Sequence, residues 1–254
     1  MAVRPENGKL FAACVMALLW ACCPRFVFAV PLPASPSTTE IGFESRAEIG
    51  ATGGKIVTNA APYLSFEKGI AGHAVRFSRD DNLYSATIQF PAEAIDLWDA
   101  DGTGKSLEFW LKFNEDPHKF TGNKFLVTAY PMFLVEIYGT QPFLAFEFYG
   151  NGNNEGTKGR FLVYTQGWDK WESWKEGEWH KISLTWRRNG ADGNAEMHLY
   201  IDDSQDGCQP TRCNDYGGIL PNPGSFVTFA VGNSSKKGAI DFSIDQMRFQ
   251  HGRR

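Results

Sequence analysis

Side chains along Lys105–Phe113 alternate without a break, with Leu107, Phe109, Leu111 and Phe113 on one side and Glu108, Trp110 and Lys112 on the other. A period of two sends successive side chains to opposite faces of an extended backbone, so this segment predicts a strand with one oily and one wet face. The same signature recurs at Phe133–Tyr138, Phe143–Tyr149, 161–165, 182–186, 196–202, 226–232 and 240–250. Apolar residues at helical spacing are nearly absent, and only 91–98 reads as a possible short helix. Gly139-Thr140-Gln141-Pro142 marks a hairpin turn between two of the strands. A total of 26 glycines and an aromatic content of 14% suit many short strands joined by tight turns. Such strands bury their oily faces by stacking as two sheets, so the expected fold is all-β, a two-sheet antiparallel β-sandwich or jelly roll.

The N-terminal region reads differently. Arg4 and Lys9 precede an uncharged run over 10–23, which has the length of a signal-peptide core and is too short to span a bilayer. Val27-Phe28-Ala29 places small residues at −3 and −1, so 1–29 is the expected signal segment. Leu19-Trp20-Ala21-Cys22 offers the alternative of a lipoprotein box with an anchor at Cys22. Residues 30–39, rich in Pro, Ser and Thr, read as a flexible leader, which leaves 40–250 as one secreted domain. No later stretch is long and apolar enough for a transmembrane helix.

Cysteine usage agrees with export. Cys14, Cys22 and Cys23 lie in the removable segment, and the remaining pair, Cys208 and Cys213, implies a local disulfide, with two free thiols as the alternative. Two thiols alone do not complete a tetrahedral metal site. The net charge is −4 and no basic run exceeds Lys236-Lys237 or Arg253-Arg254, so nucleic acid and anionic membrane are poor partner expectations.

Several segments together carry a resemblance. Gly69-Ile70-Ala71-Gly72-His73-Ala74-Val75-Arg76-Phe77 resembles the early G-x-x-G-x-A-x-x-F strand of laminin G-like jelly rolls, and Ser106-Leu107-Glu108-Phe109-Trp110-Leu111-Lys112 resembles their EFW strand. Trp174-Lys175-Glu176-Gly177-Glu178-Trp179-His180-Lys181-Ile182, then Leu184-Thr185-Trp186 and Leu199-Tyr200-Ile201-Asp202, follow in the same order. Ile244-Asp245-Gln246-Met247-Arg248-Phe249 resembles the closing IDxxRF strand. The chain thus looks like a member of the concanavalin A-like lectin/glucanase superfamily from about 41 to 249. That fold hosts lectins, adhesion modules, hydrolases and lyases, so the resemblance bears on fold more than on function. It implies that Trp174 and Trp179 are packing residues, and that Trp179, Ile182, Leu184 and Trp186 anchor one sheet on the other, each burial worth roughly 1.5–3 kcal/mol. It also implies one structural Ca2+ held by Glu44, Gly72 and Asp245, oxygen donors from distant strands that suit a hard cation. The alternative is that Asp245 only accepts backbone N–H groups at a strand edge.

Candidate ligand-binding residues follow from parity. If the hairpin pairs Tyr138 with Phe143, then Glu136, Tyr138, Glu147 and Tyr149 share one face, and Val135, Ile137, Leu144, Phe146 and Phe148 share the other. Glu108 with Trp110, and His198 with Tyr200, add similar outward sets. Aromatic rings stack on apolar sugar faces while carboxylates accept hydroxyl hydrogens, so a polysaccharide or glycan is the expected partner. The competing expectation is an ordinary solvated sheet face. Trp168 and Trp171, beside charged residues in a turn, are further candidate contacts.

Catalysis is a weaker expectation. Retaining glycosidases need two carboxyls about 5–5.5 Å apart and inverting ones about 6.5–9.5 Å, and Glu136 with Glu147 would qualify as diagonal neighbours. However, Glu136-Ile137-Tyr138-Gly139 lacks the later acids of the laminarinase-type E-x-D-x-x-E, and the R-x-E-x-R and Q-x-H strands of jelly-roll alginate lyases are missing. His198 and Tyr200 would be the acid–base pair of an unrecognised lyase. Gly102-Thr103-Gly104-Lys105-Ser106 has Asp99 where a phosphate loop needs its first glycine. Asp96, Asp99 and Asp101 lack the EF-hand glycine, and Asn233-Ser234-Ser235 is a glycosylation sequon. The expectation is an extracellular carbohydrate-binding, lectin-like domain without catalytic activity. The alternatives are a polysaccharide lyase or glycoside hydrolase of jelly-roll type, and an adhesion module for a protein partner.

Overall fold

The alternating segments form strands in a computed structural model that describes residues 38–58, 63–79, 86–91, 95, 103–129, 133–138, 143–149, 160–164, 172–188, 195–206, 228–233 and 239–251. The chain divides into Met1–Ser35 and Pro36–Arg254, and every described residue belongs to the second unit. The signal segment with Cys22, and Trp168, Trp171, Cys208 and Cys213, lie outside the described residues.

In chain order the elements are β1 (Thr38–Ile41), α1 (Arg46–Ala51), β2 (Lys55–Thr58), β3 (Leu64–Lys68), β4 (His73–Phe77), β5 (Ala86–Pro91), β6 (Lys105–Phe113), β7 (Lys124–Ala129) and β8 (Phe133–Tyr138). They continue as β9 (Phe143–Tyr149), β10 (Arg160–Tyr164), β11 (Trp179–Arg188), β12 (Ala195–Ile201), β13 (Ser204–Asp206), β14 (Thr228–Gly232) and β15 (Phe242–His251). The described structure is an all-β sandwich of two antiparallel sheets. One has eight strands in the order β13-β12-β11-β6-β15-β4-β3, with β1 also paired to β15. The other has seven, in the order β10-β9-β8-β7-β14-β5-β2.

Parity decides the core. Leu107, Phe109, Leu111 and Phe113 of β6 meet Ile182, Leu184 and Trp186 of β11 and Phe242, Ile244, Met247 and Phe249 of β15, all buried. Across the sandwich, Val135 and Ile137 of β8, Leu144 and Phe146 of β9, and Ile88 and Phe90 of β5 complete the same cluster. Phe77 stacks on Phe242 at 5.1 Å between centroids and Phe146 packs on Trp186 at 5.9 Å, aromatic contacts that add to simple area burial. Trp179 does not join them. It has the opposite parity to Ile182, is partly exposed, and carries the Lys112 ammonium 4.9 Å from its ring centroid. The expected anchoring role therefore falls to Ile182, Leu184 and Trp186.

Two boundary features differ from the sequence reading. β1 begins at Thr38, so Thr38 and Thr39, read as the end of the leader, pair with Gln250 and Phe249. A short helix, Arg46–Ala51, was not anticipated; Ser45 caps it by accepting from the Glu48 N–H, and Ile49 is its buried residue. Pro91, the first residue of the expected 91–98 helix, ends strand β5.

β15 changes partners along its length. Its first half pairs with β4 through Ile244 and Val75, and its second half pairs with β1 from Met247 and Ile41 onward. Between them the ladder with β6 slips at a bulge over Asp245/Arg248, where Gln246 has φ 47.

Candidate functional site

The β8–β9 hairpin has the register that sequence parity supposed: Tyr138 pairs with Phe143, Glu136 with Ala145 and Leu134 with Glu147. Directly paired residues of antiparallel strands share a face, so Glu136, Tyr138, Glu147 and Tyr149 occupy positions of one phase. The opposite phase carries Val135, Ile137, Leu144 and Phe146, which fill the core, so the first phase is the outer one. The flanking strands extend this face. Tyr164 pairs with Ala145, Leu162 with Glu147 and Arg160 with Tyr149, while Phe125 of β7 pairs with Glu136 and is partly exposed. Glu136 and Glu147 are diagonal neighbours, a relation that places backbones about 7–8 Å apart.

Glu136 departs from the expected wet surface. It is only 1% exposed, and its outer-phase neighbours Leu134 and Ala145 are buried as well. The middle of this face is therefore shielded from water rather than freely hydrated, and a carboxylate is rarely buried without partners.

Trp110, His198 and Tyr200 are on outward positions as expected, but they do not join Glu136. β6 and β12 belong to the eight-stranded sheet and β8 and β9 to the seven-stranded one, so their outer faces look away from each other. Alternation within a strand tells inside from outside and carries nothing about which of two sheets the strand enters. On the eight-stranded sheet, Trp110 pairs with Lys181 and Asp245, Glu108 with Ser183, Ser183 with Tyr200 and Thr185 with His198. The His198 and Tyr200 rings are 6.2 Å apart. Glu108 is buried and accepts from Ser183 Oγ at 3.3 Å.

Glu44, Gly72 and Asp245 do come together, at the turn over 69–72 that precedes β4. Asp245 Oδ2 accepts from the Ile70 N–H at 2.8 Å and the Ala71 N–H at 3.3 Å. Glu44 Oε2 accepts from the His73 N–H at 2.8 Å and lies 3.2 Å from His73 Nδ1. The two glycines are required here, because a Cβ at Gly69 would strike Asp245 Oδ2 and one at Gly72 would strike the Glu44 carboxylate. Gly72 also has φ +70, a conformation that favours glycine. Burial pushes the Asp245 carboxyl above its usual range and the nearby Glu44 charge adds to this, against the backbone N–H groups that pull it down. Two carboxylates facing one turn form an anionic spot, and Asp245 accepts backbone N–H groups there as the alternative expectation held. Among the described residues no group of three or more His, Cys, Asp or Glu is arranged around a metal. A cation there would draw on the two carboxylates, the glycine carbonyl and water.

Two sequence motifs are settled by burial. Asn233 is 1% exposed, its Nδ2 donates to the Ile240 carbonyl at 2.8 Å and its Oδ1 accepts from the Ile240 N–H at 3.0 Å. The sequon is therefore locked into the fold by its own acceptor residue. Lys105 and Ser106 belong to strand β6 and are buried, which is not the geometry of a phosphate-binding loop. Phe125 was missed by sequence reading, because a bulge between Phe125 and Val127 breaks the alternation of β7.

No family model matches the chain, and no curated protein matches it. Its fold does match solved structures. The conserved carbohydrate esterase vb_24B_21 from Shiga toxin-encoding bacteriophage phi24B superposes with a TM-score of 0.55 at 11% identity, over 86% of this chain and 100% of that one. The binding domain of Paraclostridial Mosquitocidal Protein 1 gives 0.53 at 13% identity, over 78% of this chain and 45% of that one. The binding domain of botulinum neurotoxin DC, solved in complex with rat synaptotagmin II, gives 0.51 at 14% identity, over 77% and 42%. The chain spans less than half the length of these two toxin domains. At this level of identity the likeness concerns architecture, and the shared architecture is a jelly-roll-like β-sandwich.

Proposed function

We propose that the chain is an extracellular carbohydrate-binding module that holds a glycan on the outer face of the seven-stranded sheet, with Tyr138, Glu147 and Tyr149 as its contacts around the buried Glu136. The observation that supports this reading is the pairing of Tyr138 with Phe143, a register in which positions 136, 138, 147 and 149 share one phase. Acids that accept hydroxyl hydrogens beside rings that cover apolar sugar faces are the chemistry of saccharide recognition. A fold neighbour named as a carbohydrate esterase supports the choice of ligand class. Trp168 and Trp171 are further candidate ligand contacts in this reading. Export by a signal segment over 1–29, with a lipid anchor at Cys22 as the alternative, and a Cys208–Cys213 disulfide belong to the same reading. Among the described residues no helix is long and apolar enough to cross a membrane. A cation at Glu44, Gly72 and Asp245 would tie the first turn of the domain to its last strand.

A second reading rests on the diagonal relation of Glu136 and Glu147, two acids on adjacent strands of the kind a hydrolase or lyase would use. The decisive experiment incubates the purified chain with a panel of soluble and insoluble polysaccharides, and measures both retention and new chain ends. Retention without new ends, weakened at least tenfold by Glu147→Gln, is the expected result. New reducing or unsaturated ends would transfer the site to a hydrolase or lyase, and silence on every glycan would overturn both readings in favour of a protein partner.

A further inference from the structure

The chain carries one N-glycosylation sequon, Asn233-Ser234-Ser235, and its acceptor residue is buried. A sequon in use belongs on a surface loop, where an enzyme can reach the amide nitrogen. Asn233 instead follows the last residue of β14 and is 1% exposed. The backbone leading into it is equally confined, since Gly232 has φ +119 and a Cβ there would strike the Ala86 carbonyl and the Phe77 ring. Its amide faces Ile240, a buried residue just before β15. Nδ2 donates to the Ile240 carbonyl at 2.8 Å and Oδ1 accepts from the Ile240 N–H at 3.0 Å, so the side chain stands in for a strand partner.

Transfer of a glycan from a lipid-diphosphate donor forms a bond between Nδ2 and the anomeric carbon, releases the lipid diphosphate and removes one Nδ2 hydrogen as a proton. The product is a secondary amide, which prefers its substituent trans to Cβ and so on the same side as Oδ1. Both bonds to Ile240 leave from that side, because they reach the N–H and the carbonyl of one residue. The sugar therefore takes the place of the hydrogen that donates to Ile240. Exchanging the other hydrogen requires the disfavoured cis amide inside a closed site. The folded domain thus has no room for the product.

We propose that Asn233 is an N-glycosylation site that folding closes, open to an oligosaccharide donor only in the unfolded chain. The topology closes it late. β14 pairs with β5 and β7, and β15 pairs with β4 and β6, all strands far earlier in the sequence, so Ile240 is brought to Asn233 only as these long-range ladders form. In a glycosylating compartment the chain is modified or folded, and not both. The inference concerns other residues than the glycan-binding reading and does not depend on it.

The test offers oligosaccharyltransferase and its lipid-linked donor to the full chain, shown to be folded by circular dichroism, and to its complete tryptic digest at the same concentration. Cleavage after Lys236 leaves the sequon intact in an open peptide. The expected result is a glycan on that peptide by mass spectrometry, with the folded chain modified at least about tenfold more slowly, since it reacts only through rare opening. The digest of Ser235→Ala, which keeps Asn233 but lacks the sequon, should stay unmodified. A smaller difference in rate, an unmodified wild-type digest, or a glycan on the Ser235→Ala digest would overturn the proposal. Hydrogen exchange at the Ile240 N–H reads the same closure without the enzyme: slow exchange supports it, and exchange at the rate of an open peptide contradicts it.

Discussion

Replacing Asp245 probes how the two ends of the domain are joined. Its carboxylate is 1% exposed and its Oδ2 takes both backbone N–H groups, from Ile70 and Ala71, at the point where β15 passes from β4 to β1. Asp245→Ala removes that acceptor and leaves two N–H groups on the turn over 69–72. Orphaning a buried donor costs about 1–3 kcal/mol. The bond to Ala71 is long at 3.3 Å and the turn is open to solvent, so water recovers part of the loss. A net cost of about 1–3 kcal/mol follows, which for a domain of this size lowers Tm by about 3–9 °C. Asp245→Asn behaves differently. Both bonds fall on a single oxygen, which the amide retains, and the repulsion with Glu44 is removed, so the cost should stay below about 1 kcal/mol. Urea unfolding followed by circular dichroism reads both variants. An alanine variant as stable as the wild type, or an asparagine variant as damaged as the alanine one, would refute the reasoning.

Further expectations follow from the same structure. Because the folded Asp245 pKa lies above the ordinary 3.8, its contribution to stability is full below that value and is lost as pH rises through the raised folded value. The stability of the wild type relative to Asp245→Asn should therefore fall as pH rises above the ordinary carboxylate value, and a flat difference contradicts the shift. Gly177→Ala, at φ +82 with open space around the position, should cost only the left-handed strain of about 1–2 kcal/mol. Gly72→Ala adds a collision with the Glu44 carboxylate and should cost at least about 1 kcal/mol more; equal losses by urea titration would remove the tight seating of Glu44. Leu184→Ala, between Leu107 and Leu199 in the sheet, should lose about 2–5 kcal/mol, and a loss under about 1 kcal/mol would place it outside the core. If a cation seats at Glu44 and Asp245, calcium at about 100 times its Kd should add about 2.7 kcal/mol, and thermal melts identical in calcium and in chelator would exclude it.

Much of the fold was legible because local alternation is a local property. Strands β6, β8 and β9 have the limits that their side-chain pattern predicts, and the core positions Leu107, Phe109, Leu111, Ile182 and Leu184 are buried as parity requires. The order of strands within each sheet was not legible, since pairings such as β15 with β6 join segments more than a hundred residues apart. That gap explains the error over Trp110, His198 and Tyr200, which were read correctly as outward but were grouped with Glu136 of the other sheet. Trp179 was placed in the core by resemblance although its own parity, opposite to Ile182, already pointed outward. The site at Glu44, Gly72 and Asp245 was legible only as a resemblance, because three residues so far apart in sequence carry no local signal of contact.

The most direct test follows backbone amide resonances while a neutral oligosaccharide is titrated into the labelled chain. Saccharide binding on the outer face of the seven-stranded sheet predicts saturable shifts in β8 and β9 that weaken in Glu147→Gln. Shifts confined to other strands or to loops, or no shifts with any glycan, would contradict the account.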